Sequence, residues 1–343
     1  MTGGARPCYL ESAVNVPSLR RGDAIPTQGQ EEYAHRYPLD GFKPLRLEDK
    51  EILGRYLRQH PPKTSELTMT NLFMWRHRYH PRWRERDGFL FIVLERADKE
   101  AFGLPPVGAG DGVLALDFLC QELEKSGARP CLRLADRTFV DRCVDPERYQ
   151  VALERDQSDY VYRTKDLIAL AGRQYHRKKN LLNRFLKSHA FEFAPLTANL
   201  VEGLLKMQER WLRMKNCEQH PELLEEDRAI YEALQHFEDL GVKGGAILID
   251  GQVEAFSLGE VLNPETAVIH IEKANPRIPG LYAAINQRFC QEVWAGLPFV
   301  NREQDLGQPG LRKAKKSYVP HHMVDKFMVA PRRTSVVDKK RRP

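Results

Sequence analysis

The feature that most constrains this fold is a succession of apolar runs beginning at Gly244. Gly244 to Ile249 is apolar, Asp250-Gly251 follows, and Gln252 to Val261 is largely apolar again. Asp-Gly between two such runs is a strong hairpin signal, because both residues tolerate the positive φ of a two-residue turn. Ala267 to Lys273 adds a further strand, Gly280 opens a helix over Leu281 to Trp294, and Phe299-Val300 begins another strand. Strands interleaved with a helix predict an α/β layer.

The same alternation holds upstream. Phe42 to Leu47, Phe89 to Leu94 and Pro130 to Leu134 read as strands, and Leu47 to Gln59 and Val113 to Lys125 as helices, with Ser65 to Tyr79 a buried helix or irregular segment. Asp159 to Tyr162 is strand-like, and Asp166 is expected to cap one long helix over Leu167 to His189, with Leu167, Leu170, Leu181, Leu182 and Phe185 inward. Phe191 to Phe193, the helical stretches Leu200 to Lys215 and Leu223 to Leu240, and a closing strand Val324 to Val329 complete the second half. The predicted organisation is a disordered leader over 1–37, domains over 38–155 and 156–330, and a basic tail over 331–343.

With 343 residues the chain has room for two domains. No apolar run approaches the roughly eighteen residues of a membrane span, and the N-terminus shows no continuous apolar signal region, so a cytoplasmic protein is expected. The six cysteines form no C-x-x-C pair, which argues against a zinc site or a disulfide framework; Cys290 reads as a core residue. A formal net charge of +6, gathered in local runs, favours an anionic partner such as RNA or a peripheral anionic lipid surface. Nothing in the sequence fixes an oligomeric state.

The chemistry concentrates between Asn301 and Pro320. Glu303 and Asp305 precede Gly307 and Gly310, followed by Arg312, Lys313, Lys315, Lys316 and Tyr318. The cations suit phosphate, the acids suit proton transfer, and Tyr318 can donate to a leaving group or a tetrahedral intermediate. A solvated turn with a basic edge accounts for the same residues equally well. On Ala267 to Lys273, period two puts His270 and Glu272 on one face, making Glu272 a candidate base with His270 its neighbour. The basic run Arg173 to Lys187 reads first as a solvated helix face and second as a phosphate-contacting one.

This order of elements resembles a GNAT acyltransferase domain. The fragments Tyr160-Val161-Tyr162, Tyr175 to Asn180, Asp250-Gly251, Glu272-Lys273-Ala274 and Glu303 to Lys315 are similar to the C-terminal domain of the phosphatidylglycerol lysyltransferases, over roughly Pro38 to Val329. The resemblance implies an α/β (α+β) fold of two tandem GNAT-like acyltransferase domains, mixed sheets flanked by helices, with the transfer site in the second. It also implies an acyl or aminoacyl transferase acting on a hydroxyl or amine acceptor, with aminoacyl-tRNA ahead of acyl-coenzyme A as donor and no tightly bound cofactor. A non-catalytic module binding anionic lipid or RNA is the alternative. The lipid-modifying members carry a membrane-embedded N-terminal half; none is expected here, so an acceptor other than phosphatidylglycerol is expected too. GNAT folds expose a donor site where two neighbouring strands splay, here expected between Gln252–Val261 and Ala267–Lys273. They cradle coenzyme A in a (Gln/Arg)-x-x-Gly-x-(Gly/Ala) loop. Arg277 and Gly280 match that loop, while Tyr282 stands where its last small residue belongs. The resemblance therefore implies catalytic Glu272, Glu303, Asp305 and Tyr318, donor-binding Arg277, Gly280, Arg312, Lys315 and Lys316, and no metal.

Overall fold

The computed structural model of the chain describes residues 35–97, 99–215 and 221–332. The expected leader, apart from its last residues, and the expected tail beyond 332 lie outside them, as do Cys8 and Cys217. In chain order the first half comprises β1 (Lys43–Pro44), α1 (Lys50–Gln59), α2 (Met69–Met74), α3 (Arg76–Tyr79), β2 (Arg82–Arg86), β3 (Phe89–Leu94), β4 (Phe102–Gly103), β5 (Val107–Gly108), α4 (Gly112–Lys125), β6 (Leu132–Asp136), α5 (Arg137–Cys143) and β7 (Tyr149–Leu153). Next come β8 (Asp159–Arg163), α6 (Thr164–Ala169), α7 (His176–Ser188), β9 (Glu192–Pro195), α8 (Ala198–Met214), α9 (Pro221–Gln235), α10 (Phe237–Leu240) and β10 (Lys243–Ile249). The remainder is β11 (Gln252–Asn263), β12 (Thr266–Ala274), α11 (Leu281–Val293), β13 (Phe299–Asn301), α12 (Pro309–Lys316), β14 (His322–Val324) and β15 (Lys326–Pro331).

Two mixed sheets organise these elements. The first runs β1-β2-β3-β4-β6-β15-β7, with β5 also on β3; the second runs β14-β8-β13-β12-β11-β10-β9. β10 and β11 turn at Asp250 and Gly251, at φ 51° and 74°, which returns the chain with Ile249 opposite Gln252. β3 is buried along its whole length because both faces are covered, which is why it reads as an unbroken apolar run. Three cores result. One packs Phe91, Leu116, Leu119 and Val329 under α4 on the first sheet. A second joins Leu53, Phe73 and Ile92 of the first half to Leu204, Trp211, Ile230 and Phe256 of the second. The third sits under α6, α7 and α11, around Phe185, Ile269, Phe289 and Trp294, and Cys290 lies fully buried in it.

Two departures from the sequence expectations bear on the sheets and on the site. The single helix over Leu167 to His189 is two helices, α6 and α7, because Leu170 and Gly172 take left-handed φ of 45° and 94° between them. Leu181, expected inside, is 42% exposed, whereas Leu167, Leu170, Leu182 and Phe185 are buried. The closing strand, assigned to the second half by its place in the chain, belongs to the first sheet. There β15 inserts between β6 and β7, so the boundary drawn at 330 gives the first sheet one strand too few. Lys326 anchors this return. Its fully buried Nζ donates to Asp159 at 2.6 Å and Glu66 at 2.7 Å, and Asp159 also accepts from Ser65 and from Asn301 Nδ2, both at 3.0 Å.

Candidate active site

The opening in the second sheet is built by register. β11 and β12 pair from Ala255↔Ala274 to Asn263↔Thr266, so the expected splay between them does not occur. It lies one strand over. β13 runs parallel to β12 for only three residue pairs, ending at Val268↔Asn301, after which the chain turns away at Glu303, φ 57°. Among the described residues, the far half of β12 has no strand on that side.

β12 also carries a bulge. Leu258 faces Ile271 while Gly259 faces Ile269, so His270 has no partner and the alternation of faces shifts there. Gly259 is required at this point: a Cβ on it would stand 2.3 Å from the Val268 carbonyl oxygen. The shift separates His270 from Glu272, which period two had placed together.

Glu272 faces α11. Its carboxylate accepts from Arg302 Nη2 at 2.7 Å and from Asn286 Nδ2 at 2.9 Å. Arg302 lies 4.7 Å from the ring of Tyr318, and Lys178 of α7 lies 4.2 Å from the same ring. Burial tends to lower the pKa of Arg302, but the Glu272 carboxylate more than compensates and keeps it charged. Burial and the Arg302 charge bring the Lys178 amine down to about 8. Burial pushes the Tyr318 phenol well above its ordinary value, so it stays protonated. Two buried atoms of this cluster have no partner among the described residues: the donor Arg302 Nη1 and the acceptor Asn286 Oδ1.

His270 faces the other way, toward α2. Its Nδ1 and Nε2 donate to Glu303 and Glu260, each at 2.8 Å, and Glu303 lies 3.4 Å from Asn71 Nδ2. Burial disfavours the charged ring, yet the hydrogen bonds and charges of the two carboxylates raise it to about 10.

A third group secures the turn into α12. Asp305, fully buried, accepts from Tyr160 at 2.5 Å, from Arg312 Nε and Nη2 at 2.8 Å and from the Gly307 N–H at 2.9 Å. Burial would raise its pKa; these donors hold it well below the usual carboxylate range. Arg312 also reaches Asp156 at 2.6 Å. Lys315 donates to the carbonyls of Arg302 and Glu303, and burial with the Arg302 charge lowers it to about 8. Lys313 and Lys316 are exposed.

The expected site residues thus fall into separate places. Glu272 and Tyr318 share the cluster with Arg302; Glu303 lies across the sheet with His270; Asp305, Arg312 and Lys315 brace the loop; Lys316 faces solvent. Arg277 is exposed, and Gly280, at φ 89°, begins α11 where a Cβ would stand 2.3 Å from the Leu181 carbonyl oxygen. Arg302, Asn286 and Lys178 were not singled out from sequence. Arg302 stands beside two acids that drew attention first, Lys178 lies within a charge run, and Asn286 has no periodic signal on its helix.

Residues 57–330 match the family described as phosphatidylglycerol lysyltransferase, C-terminal. A conserved protein of unknown function from Bacteroides thetaiotaomicron superposes with TM-score 0.81 and 31% identity, covering 85% of this chain and 99% of that one. L-PGS from Bacillus licheniformis gives 0.59 at 13% identity, covering 84% and 93%, and FemX gives 0.54 at 8%, covering 84% and 96%. These likenesses accord with two tandem GNAT-like domains of mixed sheets flanked by helices. An uncharacterized protein of Mycoplasmoides gallisepticum is 22% identical over 216 residues, 62% of this chain and 70% of its own length. No helix among the described residues is long and apolar enough to cross a membrane. On the extent of the match and the fold that accompanies it, the chain belongs to the phosphatidylglycerol lysyltransferase C-terminal family, a family of aminoacyltransferase type.

Proposed function

We propose that this protein transfers an aminoacyl group from aminoacyl-tRNA to a hydroxyl or amine acceptor, with the reaction in the opening between β12 and β13. One observation carries the reading: the unpartnered Arg302 Nη1 and Asn286 Oδ1, both on side chains fixed by the Glu272 carboxylate. Buried polar atoms are ordinarily hydrogen-bonded, so an orphan donor and an orphan acceptor on one support suit a ligand that offers both. An α-aminoacyl ester does: its carbonyl oxygen accepts from Arg302 and its ammonium donates to Asn286. As the acceptor attacks the ester carbon, Arg302 stabilises the oxyanion and the Lys178 amine takes the acceptor's proton. Collapse breaks the ester bond, and the ribose oxygen leaves with a proton that the Tyr318 phenol can relay.

Glu272 in this scheme positions Arg302 and is not the base. The donor preference rests on the start of α11, where the Leu181 carbonyl packs against Gly280 and sets negative charge beside the place a coenzyme A pyrophosphate would need. Exposed Arg163, Arg177, Lys313 and Lys316 on the surrounding elements suit the tRNA backbone.

The test is transfer of labelled amino acids from a charged tRNA pool to lipid and peptide acceptors. Arg302→Ala is expected to lower turnover about a hundred- to a thousand-fold, the usual loss for an oxyanion donor, with tRNA binding by filter retention unchanged. Activity with acetyl-coenzyme A and none with any aminoacyl-tRNA would overturn the reading.

A further inference from the structure

β7 closes one side of the first sheet. It pairs with β15 and, among the described residues, with no strand beyond it. The bonds at its two ends fix its parity: the Glu154 N–H donates to the Lys326 carbonyl and the Arg332 N–H to the Arg148 carbonyl, each at 2.8 Å. Even-numbered residues therefore bond to β15, and Val151 and Leu153 turn N–H and C=O to the open side. Tyr149 directs its C=O there too, its N–H being held by the Asp145 carbonyl at 2.9 Å. Such a row of backbone groups templates another strand unless charge, proline or a bulge guards it. None does here. Val151 is 38% and Leu153 51% exposed, and Gln150 and Ala152 are exposed on the other face.

We infer that β7 is a dimerisation edge, on which a second copy of this chain pairs antiparallel with Val151 opposite Val151, joining the two first sheets into one. The sequence of this strand and its flanks, R-Y-Q-V-A-L-E over Arg148 to Glu154, is self-complementary about its centre. A two-fold axis at Val151 sets Arg148 opposite Glu154, the residues that flank the strand. It also sets Leu153 against Tyr149, so Tyr149, Val151 and Leu153 form one apolar stripe across the join. Val151 exchanges N–H···O=C bonds with its counterpart, and the Leu153 N–H meets the Tyr149 carbonyl of the other copy. Arg148 keeps its 2.8 Å contact to Asp117 and Glu154 its 2.8 Å contact from Arg133 Nε, so the charges across the axis add to existing pairs. Neighbouring registers are disfavoured. A slip of one residue loses the Arg148–Glu154 pairing and turns the apolar stripe to the wrong face.

Light scattering after size exclusion is expected to give twice the mass of the single chain. Val151→Lys places like charges on the axis without touching the bonds to β15, and should raise the dimer dissociation constant about tenfold or more, with circular dichroism and melting unchanged. Cysteine pairs read the register: Val151→Cys should cross-link to itself on mild oxidation, whereas Gln150→Cys and Ala152→Cys should cross-link only when mixed. A wild-type chain that stays monomeric, a Val151→Lys chain that remains dimeric, or cross-links in any other register would overturn the inference. So would dimerisation that appears only after residues 1–34 are removed, which would assign the edge to the chain's own N-terminal segment.

Discussion

His270 is a buried imidazolium held between two carboxylates, and its charge has a pH signature. Its pKa rises from 6.5 to about 10 on folding. A raised pKa means the folded state binds the proton more tightly, so the stabilisation is complete below about 6.5 and is lost as pH climbs through about 10. Wild-type stability in urea should fall over that window, by at most about 1.4 kcal/mol per pH unit, while His270→Gln should be less stable at pH 6 and show a flatter profile. Equal pH slopes for the two proteins would refute a charged His270. At this scale the sequence was only partly legible. Glu272 and Tyr318 were candidates by residue type and spacing, and the fold sets both beside Arg302. That Glu272 serves Arg302, and that Asp305 and Arg312 hold each other instead of lying open to a ligand, depends on which side chains the fold brings within hydrogen-bonding distance.

The bulge in β12 is the element that divides the polar chemistry between the two faces of the sheet. It depends on Gly259, whose missing Cβ leaves room for the Val268 carbonyl. Gly259→Ala should cost about 1–3 kcal/mol through overpacking, and the strain should appear on both faces at once, as a lowered His270 pKa by NMR and a lost Glu272–Arg302 contact. A variant with wild-type melting and an unmoved His270 signal would show that the bulge tolerates a side chain. Elements written in local signals were readable in advance: the Asp250-Gly251 hairpin, the continuous apolar β3, and α4, whose last turn leads into Gly127. The bulge was not, because it arises from contact between two strands; the break between α6 and α7 had one local sign, Gly172, while the left-handed Leu170 that ends α6 had none.

On the scale of the molecule, Lys326 is where the two halves are tied. It is fully buried with Asp159 and Glu66, and burial raises Glu66 to about 7, partly offset by the Lys326 charge. Lys326→Met removes one partner and leaves buried carboxylates uncompensated, a change worth about 3–5 kcal/mol. The expected outcome is a lower urea midpoint in which both sheets are lost in one transition, read by tryptophan fluorescence and far-ultraviolet dichroism together. Two separated transitions would mean that the halves unfold independently. No local pattern marks β15 as part of the first sheet, because its partners β6 and β7 lie far back in the chain. This placement also sets a timetable for synthesis. The first half emerges from the ribosome long before its sheet can be finished, and β7 has no neighbour until Lys326 to Pro331 are made and released. The first sheet is therefore obliged to wait for a strand made far downstream of β6 and β7, after the whole of the second sheet has been synthesised.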